Sequence, residues 1–334
     1  MITSLPRTDW LERERAHQAR ADALTAEHRE RAARGEKHPV WDFLFTYYSY
    51  KPAQLRRWHP GAGIEVEQAP ERLTWRWYFP GRTEDGAIPD AAVFAREKAD
   101  LADLVERMLR RTASRPGQFG CFGLHEWAMV YRADEHRHPV PLRLGQAGTD
   151  LVVESHDLRC THFDAFRFFT PEAVPRNRTE LTRDDQPLFE QPGCLHAGMD
   201  LYKWAVKLGP LVPGDLLLDA FELARDIRLL DMQAAPYDLA PWGIVPVPIE
   251  TAEGKADYVR QQRVFAERGT RLRSELLHAW LGSGGPPQSR ADASAHRLAL
   301  RAQRPVRRRR HRLQAQRHHP CRRLGEAIGG ERAC

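Results

Sequence analysis

Histidine, aspartate and lysine share one face of a predicted helix, and such side chains can move protons or hold a metal ion. The helix lies within Gln191–Leu208, and its polar positions follow the spacing i, i+4, i+7 and i+11: His196, Asp200, Lys203 and Lys207. Apolar residues flank this stripe on both sides, which predicts a half-buried helix that points its polar side chains into a cleft. A core helix with one solvated edge would show the same pattern.

A second block also contains residues that could take part in catalysis or metal binding. These are the adjacent His125 and Glu126 within Phe119–Tyr131. Both faces of this segment are apolar, so we predict a central β-strand. A buried glutamate beside a buried histidine is costly unless the two are paired. A salt-bridged core pair and a functional pair are both consistent with the pattern.

A third block contains Cys160, His162 and Asp164 at alternate positions. If Cys160–Phe166 is extended, the three side chains point the same way. Their types suit a divalent metal, although the spacing is not a familiar metal motif. The nearby Arg159 and Arg167 could serve an anion.

The segment after the first helix predicts a second helix, antiparallel to the first, over Asp215–Met232. Four acidic residues fall on one of its faces: Asp215, Asp219, Glu222 and Asp226. Like charges at this spacing repel each other on an isolated helix. We therefore expect a cationic partner, either lysine and arginine side chains or a metal ion.

Aromatic and basic residues alternate in Lys37–Gly63. Such a pattern can stack on bases while it holds phosphates, and it is also ordinary core with an arginine rim. We assign Phe43 to the core, and we assign Arg56, Arg57 and His59 to a binding rim.

Charge is unevenly distributed along the chain. The net charge is +6, but 13 arginines against three acidic residues give about +10 to residues 285–334 and leave about −4 for the rest. The basic tail has almost no apolar periodicity, so we predict that it is disordered. It could bind nucleic acid, and a GC-rich gene read out of frame would also produce this composition.

These patterns predict an α+β protein with three parts. Residues 1–36 form a charged surface helix. Residues 37–281 form one catalytic domain, with a mostly antiparallel sheet in 64–170 and helices in 191–281. Residues 282–334 are the linker and arginine-rich tail.

Composition also restricts the location of the protein. No apolar run is long enough for a transmembrane helix, and the N-terminal residues lack the apolar core of a secretory signal. The five cysteines contain no CxxC pair. We therefore expect a cytoplasmic protein with reduced thiols and without a membrane partner.

Six sequence blocks resemble an actinobacterial family commonly named 3-methyladenine DNA glycosylase. They are HPVWDFLFTYYSYKPAQLRRWHPG, GCFGLHEWAMVYR, LRCTHFDAFRFFTP, EQPGCLHAGMDLYKWA, IRLLDMQAAPYDL and IETAEGKADYVRQQR. The resemblance spans about His38 to Trp280 and excludes the tail. It implies a DNA base-excision enzyme that hydrolyses the N-glycosidic bond of alkylated purines without a cofactor. The resemblance itself carries over no catalytic residue.

The implied chemistry would flip a methylated base into an aromatic pocket, with Trp127 and Tyr202 as our candidates for stacking. A carboxylate would position water, and Asp164 or Asp231 is our choice for that role. The wider set of catalytic candidates adds His162, His196, Asp200, Lys203 and Glu126. The candidates for DNA binding are Arg56, Arg57, His59, Arg159 and Arg167.

Two other functions remain open. The first is a metal-dependent enzyme that acts on a small substrate, with ligands drawn from His125, Cys160, His162 and His196. These residues come from separate apolar blocks, and an active site forms where the fold brings such side chains together. The second is a non-catalytic binding protein that uses the arginine-rich tail.

Overall fold

The computed structural model describes residues 2–134 and 139–282, and it confirms an α+β protein in which helices predominate. The helices are α1 (Arg7–Ala33), α2 (Phe43–Thr46), α3 (Pro52–Leu55), α4 (Ala91–Glu97), α5 (Ala99–Ala113), α6 (Leu124–Ala128), α7 (Gly145–Glu154), α8 (Phe163–Phe166), α9 (Gln186–Phe189), α10 (Leu195–Leu208), α11 (Gly214–Gln233) and α12 (Ala252–Gly282). Short 3₁₀ turns occupy Pro70–Thr74, Val174–Arg176, Gly209–Leu211 and Ala240–Trp242.

One small sheet accompanies these helices. Its strands are β1 (Thr3–Leu5), β2 (Ile64–Val66), β3 (Tyr78–Pro80) and β4 (Ala87–Pro89), in the spatial order β1-β2-β4-β3. The β1–β2 pair is parallel, and the other two pairs are antiparallel. The predicted extension of the sheet to residue 170 is wrong, because the last strand among the described residues ends at Pro89.

Helices α10 and α11 form the predicted antiparallel hairpin at the centre of the protein. The rings of Tyr202 and Phe221 lie 5.3 Å apart across it. Nearer its open end, a Cβ added to Gly198 would lie 2.7 Å from the terminal methyl of Ile227. The glycine therefore allows the close approach of the two helices, and helix α12 packs against both of them.

Helix α1 confirms the charged N-terminal helix, but it is not purely a surface element. Trp10, His17, Ala21 and Thr25 are buried on one of its faces. Beside that face, Arg20 lies 2.6 Å from Asp219 and 2.7 Å from Glu222 of α11. The cationic partner expected for the acidic face of α11 thus comes largely from α1.

Several segments within the region predicted for the sheet are helical instead. Residues 124–128 of the predicted strand Phe119–Tyr131 form α6, which begins after Gly123 with a φ of 73°. Residues 151–154 belong to α7, and residues 163–166 form α8, so Cys160–Phe166 is not extended throughout. Residues 73 and 74 belong to a 3₁₀ turn. These apolar runs are too short or too uniformly buried for periodicity to separate strand from helix.

The predicted tail lies outside the described residues, apart from Gly282. Among the described residues, no helix combines the length and the apolar character needed to cross a membrane.

Candidate metal centre

Six histidine and carboxylate side chains meet beside the α10–α11 hairpin. They form two sets of three, and within each set one donor atom per residue lies within 4.8 Å of the others. The outer set is His125 of α6, His196 of α10 and Asp231 of α11. The inner set is His162 just before α8, Glu190 just after α9 and Asp200 of α10.

The inner set is centred on one imidazole nitrogen. His162 Nε2 lies 3.1 Å from Glu190 Oε1 and 3.2 Å from Asp200 Oδ2. Burial alone would lower the pKa of His162, but the two carboxylates raise it to about 9. Lys203 also donates to Asp200, and Gln186 donates to Glu190. Without another cation, His162 is therefore an imidazolium at neutral pH.

The outer set contains a histidine–aspartate pair and a second histidine of different character. His125 Nε2 lies 2.9 Å from Asp231 Oδ1, and Arg228 donates to the other oxygen of Asp231 at 3.1 Å. Burial and the neighbouring His125 lower the pKa of His196 to about 3. His196 is therefore a neutral imidazole with a lone pair to offer.

His196 lies between the two sets. Its ring centroid is 4.5 Å from that of His125 and 5.2 Å from that of His162. Its ring nitrogens have no hydrogen bond to any residue in 2–134 or 139–282. The remaining side chains of the two sets are almost completely buried.

A small cavity of about 50 Å³ is lined in part by His196. Its walls combine apolar residues with four polar side chains: Phe43, Tyr47, Glu126, Met129, Asp164, Ala165, Phe168, His196 and Arg228. Glu126 Oε2 and Arg228 Nε are buried and lack a hydrogen-bond partner in the described part of the chain. Two of the residues that line the cavity thus each carry a buried polar atom that the described residues leave unsatisfied.

The donor atoms fit a divalent ion. Imidazole nitrogen and carboxylate oxygen are usual ligands of zinc, iron and manganese. Bonds of about 2.0–2.2 Å to one ion place neighbouring ligand atoms about 3 to 3.5 Å apart. The His125–Asp231, His162–Glu190 and His162–Asp200 distances of 2.9–3.2 Å are close to that spacing, and the remaining pairs of donor atoms in each set lie within 4.8 Å. The same distances also suit hydrogen-bonded ion pairs, in which a proton takes the place of the metal.

The structure brings together all seven catalytic candidates. His162, His196, Asp200 and Asp231 belong to the two sets, and Glu126 lines the cavity. Asp164 also lines it, where it is 2.8 Å from Arg183 and 3.4 Å from Lys203.

The structure places the three histidines of the metal prediction, His125, His162 and His196, in the two sets, but Cys160 belongs to neither set. Its thiol instead contacts the backbone oxygen of His162 at 3.5 Å, and burial raises the pKa of the thiol. A buried neutral thiol is a poor ligand, because the thiolate is the form that binds metals.

Two predicted stacking residues are core residues. Trp127 is fully buried and donates its indole N–H to the backbone oxygen of Ala234 at 2.8 Å. Tyr202 is also fully buried, against Phe221. Neither offers a ring face to a base, so their assignment to substrate binding is wrong.

The predicted basic rim lies mainly elsewhere. Arg56 pairs with Asp22 of α1 at 3.0 Å, and Arg57 lies over the ring of Trp75. His59 contacts the hydroxyl of Tyr78 at 3.0 Å. These three residues pack beside α1 and the sheet.

The two remaining basic candidates differ from each other. Arg159 pairs with Asp157, two residues before it. Arg167 lies 3.6 Å from Asp164 and above the ring of Phe168, so it adjoins the cavity wall. Of the predicted basic residues, Arg167 is thus the one that the structure brings to the site.

Sequence reasoning missed Glu190 and Arg228. Glu190 lies in a polar segment without a motif, and no spacing connects it with His162. Arg228 stands one helical turn before Asp231, which is a detectable signal. Its role in holding both Glu126 and Asp231 became visible only in three dimensions.

No family model, curated protein or solved structure matches this chain. The function must therefore be argued from the site itself.

Proposed function

We propose that the protein is a metal-dependent enzyme that acts on a small substrate, with the catalytic ion held by the outer set. The observation that carries this proposal is His196. It is a neutral imidazole without a hydrogen bond to the described residues, its ring centroid lies 4.5 Å from that of His125, and it lines a cavity.

Two histidines and one carboxylate are a common ligand set for catalytic ions, because three protein ligands leave positions open for water or substrate. When bound, the ion would supply a Lewis acid and a site for activating a small ligand. Arg228 keeps Asp231 and Glu126 in place through its guanidinium group. Glu126 Oε2 is free to accept a proton from a ligand in the cavity.

The cavity supports a small substrate. A volume of about 50 Å³ is of the order of one or two water molecules. Phe43, Met129 and Phe168 supply apolar walls beside the polar lining residues. A purine ring system would require these walls to move.

DNA glycosylase activity on a DNA partner stays a prediction, and it has weaker support than the metal-dependent function. The proposed stacking residues Trp127 and Tyr202 are enclosed in the core. Release of free base from methylated duplex DNA by the purified protein would test it directly. Activity that survives His196→Ala but is lost in Asp164→Asn would favour the glycosylase.

Metal content tests the proposed function. We would purify the full chain without an affinity tag, dialyse it against a mixture of divalent ions, and measure bound metal by mass spectrometry. We expect at least one ion per chain, and we expect His196→Ala and His125→Ala to lose an ion that the exposed control His278→Ala retains. A folded wild-type chain that binds no divalent ion would overturn the proposal.

We also propose a cytoplasmic location. The structure contains Cys121, Cys160 and Cys194 as free thiols, which suits a reducing compartment. Immunoblotting of fractionated cells would test this, and recovery outside the cytoplasmic fraction would contradict it.

A further inference from the structure

We infer that the inner set, His162, Glu190 and Asp200, holds a second metal ion and that the two sets together form a two-metal centre. This inference rests on the proposed function, because it takes the outer set as the site of the first ion.

The inner set places one possible hydrogen-bond donor opposite two acceptors. A single nitrogen, His162 Nε2, faces oxygens of Glu190 and Asp200 at 3.1 and 3.2 Å. One N–H can point well at only one of two acceptors, so each contact is weaker than a linear hydrogen bond. An ion placed among the three atoms would contact all of them at once.

The surroundings of His162 also fit a ligand. The side chain is 1 % exposed, and its second nitrogen, Nδ1, has no hydrogen-bond partner among the described residues. The ring is therefore held from one side, through the atom that faces the two carboxylates. An Nδ1–H that is left to a water molecule is one of the arrangements found for metal-binding imidazoles.

The two sets are near enough for their ions to interact. His196 of the outer set stands one helical turn before Asp200 of the inner set on α10, and its ring lies 5.2 Å from that of His162. The charges of both Asp200 and Asp231 act on His196. In two-metal enzymes the ions stand about 3.5–4 Å apart, and the 5.2 Å between the rings of His196 and His162 is of a similar size.

Lys203 is the built-in competitor for the second ion. Its ammonium contacts the same oxygen of Asp200, Oδ2, that faces His162. Asp164 Oδ2 lies only 3.4 Å from the ammonium on its other side. A cation entering the inner set can therefore displace Lys203 from Asp200 while Asp164 keeps the lysine paired. Removal of this lysine charge should strengthen metal binding at the inner set.

Equilibrium dialysis of the metal-free full chain against Mn²⁺ and Zn²⁺ tests the stoichiometry. We expect two ions per chain in the wild type and in the exposed control Glu172→Gln. We expect one ion in Glu190→Gln and one in His125→Ala. Lys203→Met should bind the inner ion at least tenfold more tightly, whereas a purely structural lysine would leave metal affinity unchanged.

Electron paramagnetic resonance of the Mn²⁺-loaded chain tests whether the ions are neighbours. Two coupled ions should give a broad multiline spectrum in the wild type, and Glu190→Gln should give the six-line spectrum of a single ion. Two uncoupled ions, or one ion that Glu190→Gln leaves in place, would overturn the two-metal centre while the proposed function stands. A wild type without bound metal would overturn both.

Discussion

His162 of the inner set and His59 beside the sheet show how similar surroundings can produce opposite chemistry. Both rings lie among aromatic and charged side chains, and burial lowers the pKa of both. At His162 the carboxylates of Glu190 and Asp200 reverse that effect and raise the pKa to about 9. At His59 the nearby charges are those of Arg72, His17 and Arg57, and the pKa falls to about 3.

The contrast identifies the sign of the neighbouring charges as the feature that distinguishes the two regions. His59 is a neutral packing element, with its Nδ1 against the Tyr78 hydroxyl and its ring edge-on to Trp75 at 5.5 Å. His162 stands where negative charge must be balanced by a proton or another cation. A cluster of histidine, arginine and tryptophan therefore indicates little about cation binding until its carboxylates are located.

Removal of Asp231 should give the largest change in stability. The carboxylate is fully buried between His125 and Arg228, so Asp231→Ala leaves the buried His125 without its carboxylate partner and leaves the buried Arg228 with Glu126 alone. We expect a loss of about 3–5 kcal/mol in the free energy of unfolding of the metal-free protein. Urea unfolding with a chelator present would measure it.

Asp226→Ala on the same helix is the matched control. Asp226 pairs with Arg268 at 2.8 Å, but both side chains are about 30 % exposed. Solvent screening should limit the loss to about 1 kcal/mol or less. Equal losses in the two variants would contradict the view that the interior charges are tightly balanced. If Asp231→Ala does not fold, the isosteric Asp231→Asn provides a milder variant.

The pH dependence of His162 should give the next largest effect. Its pKa in the folded protein, about 9, lies above the usual value of 6.5, so the imidazolium stabilises the metal-free protein fully below pH 6.5. That contribution is lost as the pH rises through 9. The shift corresponds to about 3 kcal/mol.

Urea midpoints of the wild type and His162→Gln, measured in chelator from pH 6 to 9.5, would isolate this contribution. The wild type should lose stability relative to the variant across that range. Parallel curves would mean that Glu190 and Asp200 do not hold His162 as a cation.

Much of the site was predictable because its central helices have clear boundaries. A Pro-Gly turn precedes α10 and a Gly-Pro pair follows it, and apolar residues flank its polar stripe. Those signals located His196 and Asp200 on one helix face. Asp231 was a candidate because it lies downstream of the same hairpin, where the implied glycosylase chemistry calls for a carboxylate that positions water.

The rest of the site depends on contacts that sequence spacing does not record. Glu190 reaches His162 from a segment 28 residues away that carries no motif. The segment around His125 is apolar at most positions, because it is enclosed on all sides, and its short helix was mistaken for a strand. Trp127 and Tyr202 show the converse error, since an aromatic residue next to polar ones was taken for a binding residue and is core.

His59 should give the smallest of the three effects within the accessible pH range, and with the opposite sign. Its pKa in the folded protein, about 3, lies below the usual 6.5, so the neutral ring favours folding above pH 6.5. As the pH falls below 6.5, His59 becomes protonated in the unfolded chain but stays neutral in the folded chain. The free energy of unfolding therefore decreases progressively towards pH 3. At pH 5 the loss amounts to about 2 kcal/mol.

His59→Gln should remove this acid sensitivity, whereas the exposed control His278→Gln should follow the wild type in urea unfolding between pH 7 and 5. If the wild type instead lost stability relative to His59→Gln as the pH rose, His59 would be a cation like His162, and the sign of its neighbours would not be what separates the two regions.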